Sequence, residues 1–225
     1  MSIIATDKPV LRFNQHSNAD GTTTAMPVHI SVMSGKLKGI SAINTNTVTN
    51  EFCQKMQKGN NICKHCYSQA MLTGSRKNCQ DAFQRNSDLL STVHLTSDDI
   101  PTINAAWFRY HGHGELINLL HFRNLCAIAF ANPQTTFALW TKRKDIVWQY
   151  VEDEWAIPDN LILIYSNAKL DRVMTKPPAY FNKVFNNVTD KNADANCTGQ
   201  KCMDCLECYK FDGADVIVEH VKVRS

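Results

Sequence analysis

The chain has 225 residues, of which 44% are hydrophobic and 20% are charged. A chain of this length buries enough apolar surface to fold without disulfide bonds. Its 24 basic and 21 acidic residues give a net charge of +3, which is too small to indicate a nucleic-acid or membrane partner. There is no apolar run of about 18 residues and no signal-peptide pattern, so we expect a cytoplasmic protein with reduced thiols.

Hydrophobic patterns predict alternating strands and helices after a polar, loosely organised segment over residues 1–25. In chain order they are a strand over 27–33, a turn at 34–36, a strand over 38–46, a helix over 75–95, a strand over 107–111, a helix over 115–131, a strand over 135–141, a helix over 142–155, a turn at 158–160, and strands over 161–166, 183–188 and 216–221. This alternation predicts an α/β protein, either a partial barrel or an open and mainly parallel sheet with flanking helices. No repeat or long linker interrupts it, so we interpret residues 1–225 as a single domain.

The nine cysteines are distributed unevenly, and seven of them form two groups about 130 residues apart. Their polar neighbours favour metal binding over burial as small hydrophobic residues. The second group repeats the C-x2-C spacing, which is typical of iron–sulfur loops, whereas zinc sites usually take two pairs from separate turns. We therefore predict one [4Fe-4S] cluster or two, with zinc as the alternative, and expect the cysteine loops to close one end of the sheet. The predicted ligands are Cys202, Cys205, Cys208, Cys63, Cys66, Cys53 and Cys197.

The number of thiols in each group determines whether a bound cluster would have an iron open to a further ligand. If the second group closes one cluster with four thiolates, the three thiols of the first group leave one iron open to a substrate or cofactor. If the two groups share one cluster, the centre is closed and structural. Cys79 and Cys126 are interpreted as bystanders, and Cys126 lies in an apolar helical stretch.

Polar residues are concentrated between the predicted strand over 107–111 and the predicted helix that begins at 115. Catalytic groups in parallel α/β proteins lie at such strand ends, and the glycines at 112 and 114 allow close backbone approach. The residues that we expect to line a pocket or act as acid and base are Arg109, His111, His113 and Glu115. The alternatives are solvated histidines, a Glu115 that only complements the helix N-terminus, and a mononuclear H-x-H metal site.

Two further strand ends carry candidate groups. Lys142 follows the strand over 135–141 and, as a cation at a helix start, opposes the helix dipole, which favours an anion-binding role. Ser166 ends the strand over 161–166, but the G-x-S-x-G pattern that would mark it as a nucleophile is missing.

Several short motifs together resemble a known phage family, the "gene product eighty-eight" domain family. They are CKHCYSQA, RYHGHGEL, FALWTKR, LILIYS and the terminal C-x4-C-x2-C-x2-C-Y, in this order. His111 to Glu115 correspond to an H-x-x-G-D element with Glu in place of Asp, Trp140 to Lys142 to a YTK element, and Tyr209 stands where the family has Trp. The resemblance implies a bacteriophage or prophage origin, an iron–sulfur cluster and the cytoplasm of an infected bacterium. It supplies no reaction.

The chain is also similar, more loosely, to radical S-adenosylmethionine enzymes. These combine a partial βα barrel with three clustered cysteines and an auxiliary cluster, and Cys63 and Cys66 followed by Tyr67 suit that pattern. The nine residues between Cys53 and Cys63 depart from the usual C-x3-C-x2-C loop, and no Gly-Gly-Glu strand end is present. The resemblance implies S-adenosylmethionine as a further cofactor.

Three functions are compatible with these residues. The first is a cluster-dependent enzyme that acts on a small molecule, with Arg109, His111, His113, Glu115 and Lys142 lining its pocket. The second is a hydrolase or esterase with a structural cluster and a catalytic histidine loop. The third is a non-enzymatic electron-transfer or interaction module with structural iron–sulfur or zinc. The oligomeric state stays open.

Overall fold

The structure, a computed structural model, describes residues 15–17, 23–25, 28–190 and 193–221. The first two stretches are the short strands β1 (Gln15–Ser17) and β2 (Thr23–Ala25), which pair antiparallel. The rest of the segment that we expect to be loosely organised lies outside the described residues.

The central element is an open sheet of seven strands whose order in space is their order in the chain. The first strand pairs antiparallel with the second, and all later neighbours are parallel, which confirms the mainly parallel α/β sheet. The strands are β3 (Ile30–Val32), β4 (Ser41–Ile43), β5 (Trp107–Tyr110), β6 (Thr136–Thr141), β7 (Leu161–Ser166), β8 (Lys183–Val188) and β9 (Val216–His220).

Six α-helices are described, and the three longer ones match predicted helices. They are α1 (Glu51–Gln57), α2 (Tyr67–Thr73), α3 (Gln80–Thr92), α4 (Leu119–Ala131), α5 (Lys144–Glu152) and α6 (Cys202–Cys205). Helix α4 begins four residues later than predicted because Asn118 caps it, accepting a hydrogen bond from the His121 backbone N–H. Within the described residues, the helices are too short or too polar to cross a membrane.

The two faces of the sheet are covered by different parts of the chain. Side chains alternate along a strand, so Phe137 and Leu139 of β6 pack in a core with α3, α4 and α5, while Ala138 and Trp140 face the other way. On that second face the loop containing α6 covers the sheet, chiefly through the buried ring of Tyr209. The second cysteine group therefore lies across a sheet face, opposite the longer helices.

Candidate functional site

A cavity of about 1150 Å³ lies on the second face of the sheet and extends to the carboxyl ends of the parallel strands. Trp140 and Phe185 form part of its floor, and Lys142 and Ser166 line it at the ends of β6 and β7. These are the strand ends where the sequence places functional groups. The cavity is large enough for a substrate together with a cofactor.

The first cysteine group forms part of the cavity wall, and two asparagine caps fix its backbone. Asn50 caps α1 by accepting from the Cys53 N–H at 3.1 Å, and Asn61 caps a short 3-10 turn by accepting from the Cys63 N–H at 2.8 Å. That turn ends at Cys66, whose N–H donates to the Cys63 carbonyl. Burial raises the pKa of Cys53 and of Cys63, and Cys66 and Glu115 raise both further while Lys142 opposes the shift. All three thiols of the group line the cavity.

The second cysteine group is assembled by a reversal of the chain after α6. Leu206 adopts the left-handed conformation (φ 56°) between Cys205 and Cys208, which turns the chain back toward the cavity. Burial raises the pKa of Cys208 to about 12, and Cys197, Cys202 and Cys205 contribute to that shift while Arg109 opposes it. The four thiols thus influence one another, and all of them except Cys205 line the cavity.

The two remaining cysteines lie apart from these groups. Cys126 is buried in the helix-covered core, as predicted for a bystander. Cys79 lines the cavity beside Asn78, and its thiol donates to the Asn78 side-chain oxygen at 3.8 Å.

The described residues include no group of three or more His, Cys, Asp or Glu side chains arranged to hold one metal ion. His111 and His113 do not form a mononuclear H-x-H metal site, because their rings have different neighbours. Nδ1 of His113 lies 2.8 Å from the Ser68 hydroxyl, whereas the ring of His111 packs edge-on against that of His121. A cluster differs from a single ion because its several irons spread the thiolates apart. For a cluster, the relevant observation is that all three thiols of the first group and three of the four in the second group line the cavity.

Glu115 is buried and joins the end of β5 to the end of β6. Its carboxylate accepts hydrogen bonds from the backbone N–H of Leu116 at 2.9 Å, the Lys142 N–H at 2.8 Å and the Thr141 hydroxyl. Burial raises its pKa, while Lys142 and Thr141 act in the opposite direction. Glu115 therefore holds two strand ends together, and the alternative that it complements the helix N-terminus is wrong because α4 begins only at 119.

Lys142 lies beside the first cysteine group. Its ammonium donates to the Ser166 hydroxyl at 2.8 Å, so Ser166 is a hydrogen-bond partner of a cation. Burial lowers the pKa of this ammonium, but Cys63, Glu115 and Cys53 outweigh burial and the pKa is raised overall. A cation thus faces the three thiols and counters any negative charge that develops on them.

Arg109 occupies the corresponding position near the second cysteine group. Its guanidinium carbon lies 3.6 Å from the centre of the Trp140 ring, a cation–π contact on the cavity floor. Among the described residues, no carboxylate lies within ion-pair distance of this guanidinium. Lys36 also reaches this group, donating to Glu219 at 2.6 Å and to the Cys197 sulfur at 3.1 Å. Each cysteine group is therefore accompanied by basic side chains.

Sequence reasoning missed the polar run at 44–47, directly after β4, which is fully buried and supports the histidine loop. The Asn44 side chain accepts from the His113 N–H at 2.8 Å, the Thr45 N–H donates to the His113 carbonyl, and the Thr47 hydroxyl accepts from the Gly114 N–H. The available signal was an uncharged polar run at the end of a predicted strand, where polar side chains in parallel sheets gather.

Gly114 lets these two loops touch, and its replacement by alanine tests that contact. Its φ is +101°, and an added Cβ would lie 2.0 Å from the Thr45 hydroxyl and 2.7 Å from the Thr45 carbonyl oxygen. Gly199 has almost the same φ, +99°, with nothing within 4 Å, so it is the matched control. We expect Gly114→Ala to lower the free energy of urea unfolding by about 1–3 kcal/mol more than Gly199→Ala. Equal losses would mean that backbone conformation alone requires the glycine.

Comparison with known proteins bears on the motif resemblance. A family model described as Gene product 88 matches residues 11–215, which include both cysteine groups and the strands β1 to β8. Searches of curated proteins and of solved structures found no significant match. The family match agrees with the resemblance that the ordered motifs indicate.

Proposed function

The chain belongs to the gene product 88 family, and we propose that it is an iron–sulfur enzyme whose small-molecule substrate binds in the cavity between its two cysteine groups. The observation that carries this proposal is that six of the seven candidate ligand thiols line one cavity. The lining also extends beyond the thiols to Lys142 and Ser166 at the ends of β6 and β7. Ligands of parallel α/β proteins bind at such strand ends, which supports a substrate site beside the metal centre.

The donor sets fit two clusters of different kinds. Four thiols in the second group suffice to close one [4Fe-4S] cluster, and three in the first group leave one iron of a second cluster without a protein ligand. When bound, such an open iron can accept a substrate or cofactor oxygen or nitrogen and can transfer one electron. The buried thiols of the unloaded protein are protonated, so loading releases protons from them.

The side chains next to the two cysteine groups counter the negative charge of the thiolates and fix the positions of the basic groups. The Lys142 ammonium counters the negative charge of the first group, and Ser166 fixes the position of that ammonium through a 2.8 Å hydrogen bond. Glu115 holds the Lys142 backbone at the strand end. Arg109, without a carboxylate partner in the described part of the chain, is available to the second group and to an anionic part of the substrate.

The sheet topology favours an S-adenosylmethionine-dependent form of this enzyme. Six parallel strands, β4 to β9, follow one another in sequential order, and the first cysteine group lies in the connection after the first of them. This arrangement matches the partial barrel and cysteine loop of the radical enzymes that the sequence resembles loosely. After anaerobic reduction with S-adenosylmethionine, we expect release of methionine and 5′-deoxyadenosine, and none from Cys63→Ser. Absence of both products from iron-loaded wild-type protein would exclude this form.

Iron and sulfide analysis of cysteine variants tests the proposal itself. Protein purified anaerobically should be brown and contain about eight irons and eight sulfides per chain, because each [4Fe-4S] cluster holds four of each. Replacing Cys53, Cys63 and Cys66 by serine should remove about half of the iron, and replacing Cys202, Cys205 and Cys208 should remove the other half. Cys126→Ala is the control that should keep both clusters, since that thiol lies in the core.

Two results would contradict the proposal. A colourless protein that binds one zinc ion per chain would show that the cysteines form a zinc site. Loss of all iron from either triple variant, in a chain that still folds by circular dichroism, would show that the two groups share one closed cluster. The cavity would then have no open iron.

A further inference from the structure

Charge is unevenly distributed along this chain, and the imbalance coincides with the first cysteine group. Residues 52–80 contain five Lys or Arg and no Asp or Glu. The rest of the chain has 19 basic and 21 acidic residues, a net charge of −2. The small total of +3 therefore conceals a basic segment in an otherwise slightly acidic protein.

The fold brings further basic residues to this segment. The Ile62 N–H donates to the Ala168 carbonyl at 3.0 Å, so the cysteine turn packs against the loop after β7. That loop contributes exposed Lys and Arg side chains beside the exposed lysines of the cysteine segment. Together they form a surface that we name the basic rim, consisting of Lys55, Lys58, Lys64, Lys169 and Arg172.

Acidic residues are few near the rim. Glu51 opens α1, and its exposed side chain lies at the edge of the cysteine segment. Asp171 lies in the loop after β7, where its carboxylate accepts from the Thr189 N–H and hydroxyl, and the exposed Asp190 follows Thr189. These three acidic residues are fewer than the five basic residues of the rim. The rim therefore keeps an excess of positive charge.

A second pocket, which we call the outer pocket, lies against the cysteine turn, and Lys64 of the rim lines it. It has a volume of about 510 Å³ and is lined by Lys64, His65 and Tyr67. Cys63 and Cys66 line both this outer pocket and the main cavity. The cysteine turn is thus the wall between the cavity and the protein surface, and a metal centre on it would lie close to anything bound outside.

We propose that the basic rim docks an acidic one-electron carrier protein, which reduces the metal centre of the first cysteine group through the turn containing Cys63 and Cys66. This inference rests on the proposed function. One electron leaves the carrier, which is oxidised, and enters the centre, which is reduced, while no covalent bond forms or breaks. Opposite charges speed such encounters, and a small, polar and transient interface suits a partner that must leave after each transfer.

The observations favour a carrier protein over a nucleic acid. A nucleic-acid site usually needs a longer basic stripe, and its position need not coincide with a metal centre. In this chain the basic residues lie around the turn whose thiols, Cys63 and Cys66, line both the cavity and the outer pocket. Electron transfer weakens steeply with distance, so this is the place where a carrier would dock.

Charge reversal tests the proposal with a matched control. The test variant is Lys58→Glu, Lys64→Glu and Lys169→Glu, and the control is Lys38→Glu, Lys201→Glu and Lys210→Glu, which makes the same charge change at exposed residues nearer the second cysteine group. The probe is a flavodoxin in its fully reduced state, mixed anaerobically with iron-loaded protein, and the rate of cluster bleaching is followed. Photoreduction by deazaflavin measures how readily each variant accepts an electron without docking.

We expect the test variant to react at least tenfold more slowly than wild type with flavodoxin and equally fast under photoreduction, while the control keeps both rates. The flavodoxin rate of wild type should fall as salt is raised, because salt screens the rim. Equal flavodoxin rates in all three proteins would overturn the inference, as would tight binding of duplex DNA that only the test variant loses. If wild-type protein purified anaerobically contained no iron, the proposed function would be refuted instead. The two failures are therefore distinguishable.

Discussion

Replacing Glu115 by alanine is expected to lower the free energy of unfolding by about 3–5 kcal/mol, because the buried carboxylate accepts hydrogen bonds from three donors. Without it, the N–H groups of Leu116 and Lys142 and the Thr141 hydroxyl lose that acceptor, and both Leu116 and Thr141 are fully buried. A buried donor without a partner costs more than the hydrogen bond contributed. Urea unfolding of the wild type and variant, measured under identical metal loading, gives the difference.

Glu152→Ala is the control for this prediction, because Glu152 is exposed at the end of α5. Its loss should change stability by about 0.5 kcal/mol or less. If Glu115→Ala were as mild as the control, the carboxylate would not be the link between the ends of β5 and β6. Glu115→Gln should fall between the two, since its amide oxygen still accepts while its NH2 faces donors.

The strands were the most predictable part of the fold. The continuous apolar run of β7 has the predicted bounds of 161 and 166, because a strand buried on both faces cannot tolerate polar residues inside it. Helix starts were less predictable. Apolar residues from Glu115 onward suggested one helix, but the strand-end loop uses 115–118 before Asn118 caps α4. Periodicity cannot separate a buried loop from the first turn of a buried helix.

The candidate site was predictable where chemistry follows from residue type. The spacing of the cysteines identified both groups as candidates. The ends of predicted strands pointed to His113, Glu115 and Lys142, which line the cavity. What the sequence could not give was the left-handed Leu206, because a non-glycine residue in that conformation has no local signature. The buried support by Asn44 was missed because the strand was predicted to continue to 46, which placed Asn44 inside it, whereas β4 ends at 43 and Asn44 begins the loop.

The way the two cysteine groups meet follows from the strand order. The first group follows β4 and the second precedes β9, and these strands are five positions apart in the sheet. Connections through α4 and α5 run over one face, whereas the connection between β8 and β9 runs over the other. That change of face carries the segment Glu207–Tyr209 over β6 and β7 and packs α6 against the turn between β3 and β4. A topology in which every connection crossed one face would have left the cavity without its second set of thiols.

Lowering the pH is expected to destabilise the protein through its buried histidines. Burial lowers the pKa of His111 to about 3 and that of His113 to about 4, with Arg76 and Arg109 also lowering the latter. The unfolded chain binds protons at these rings near pH 6.5, and the folded chain does not. Stability is therefore retained above about pH 6.5 and falls as the pH drops toward 4. For His113 alone the loss over that window is about 3 kcal/mol, at 1.36 kcal/mol per pKa unit.

Acid also protonates carboxylates, so the difference between variants isolates the contribution of the histidine. His113→Asn should be less stable than wild type at pH 7, because the His113 ring packs against Phe83 and its Nδ1 forms a hydrogen bond with the Ser68 hydroxyl. Between pH 7 and pH 5 it should nevertheless lose about 2 kcal/mol less than wild type. His94→Asn, at an exposed residue, should follow the wild-type curve. Equal losses of stability in His113→Asn and wild type would contradict this prediction. They would show that the His113 ring binds a proton in the folded protein as readily as in the unfolded chain.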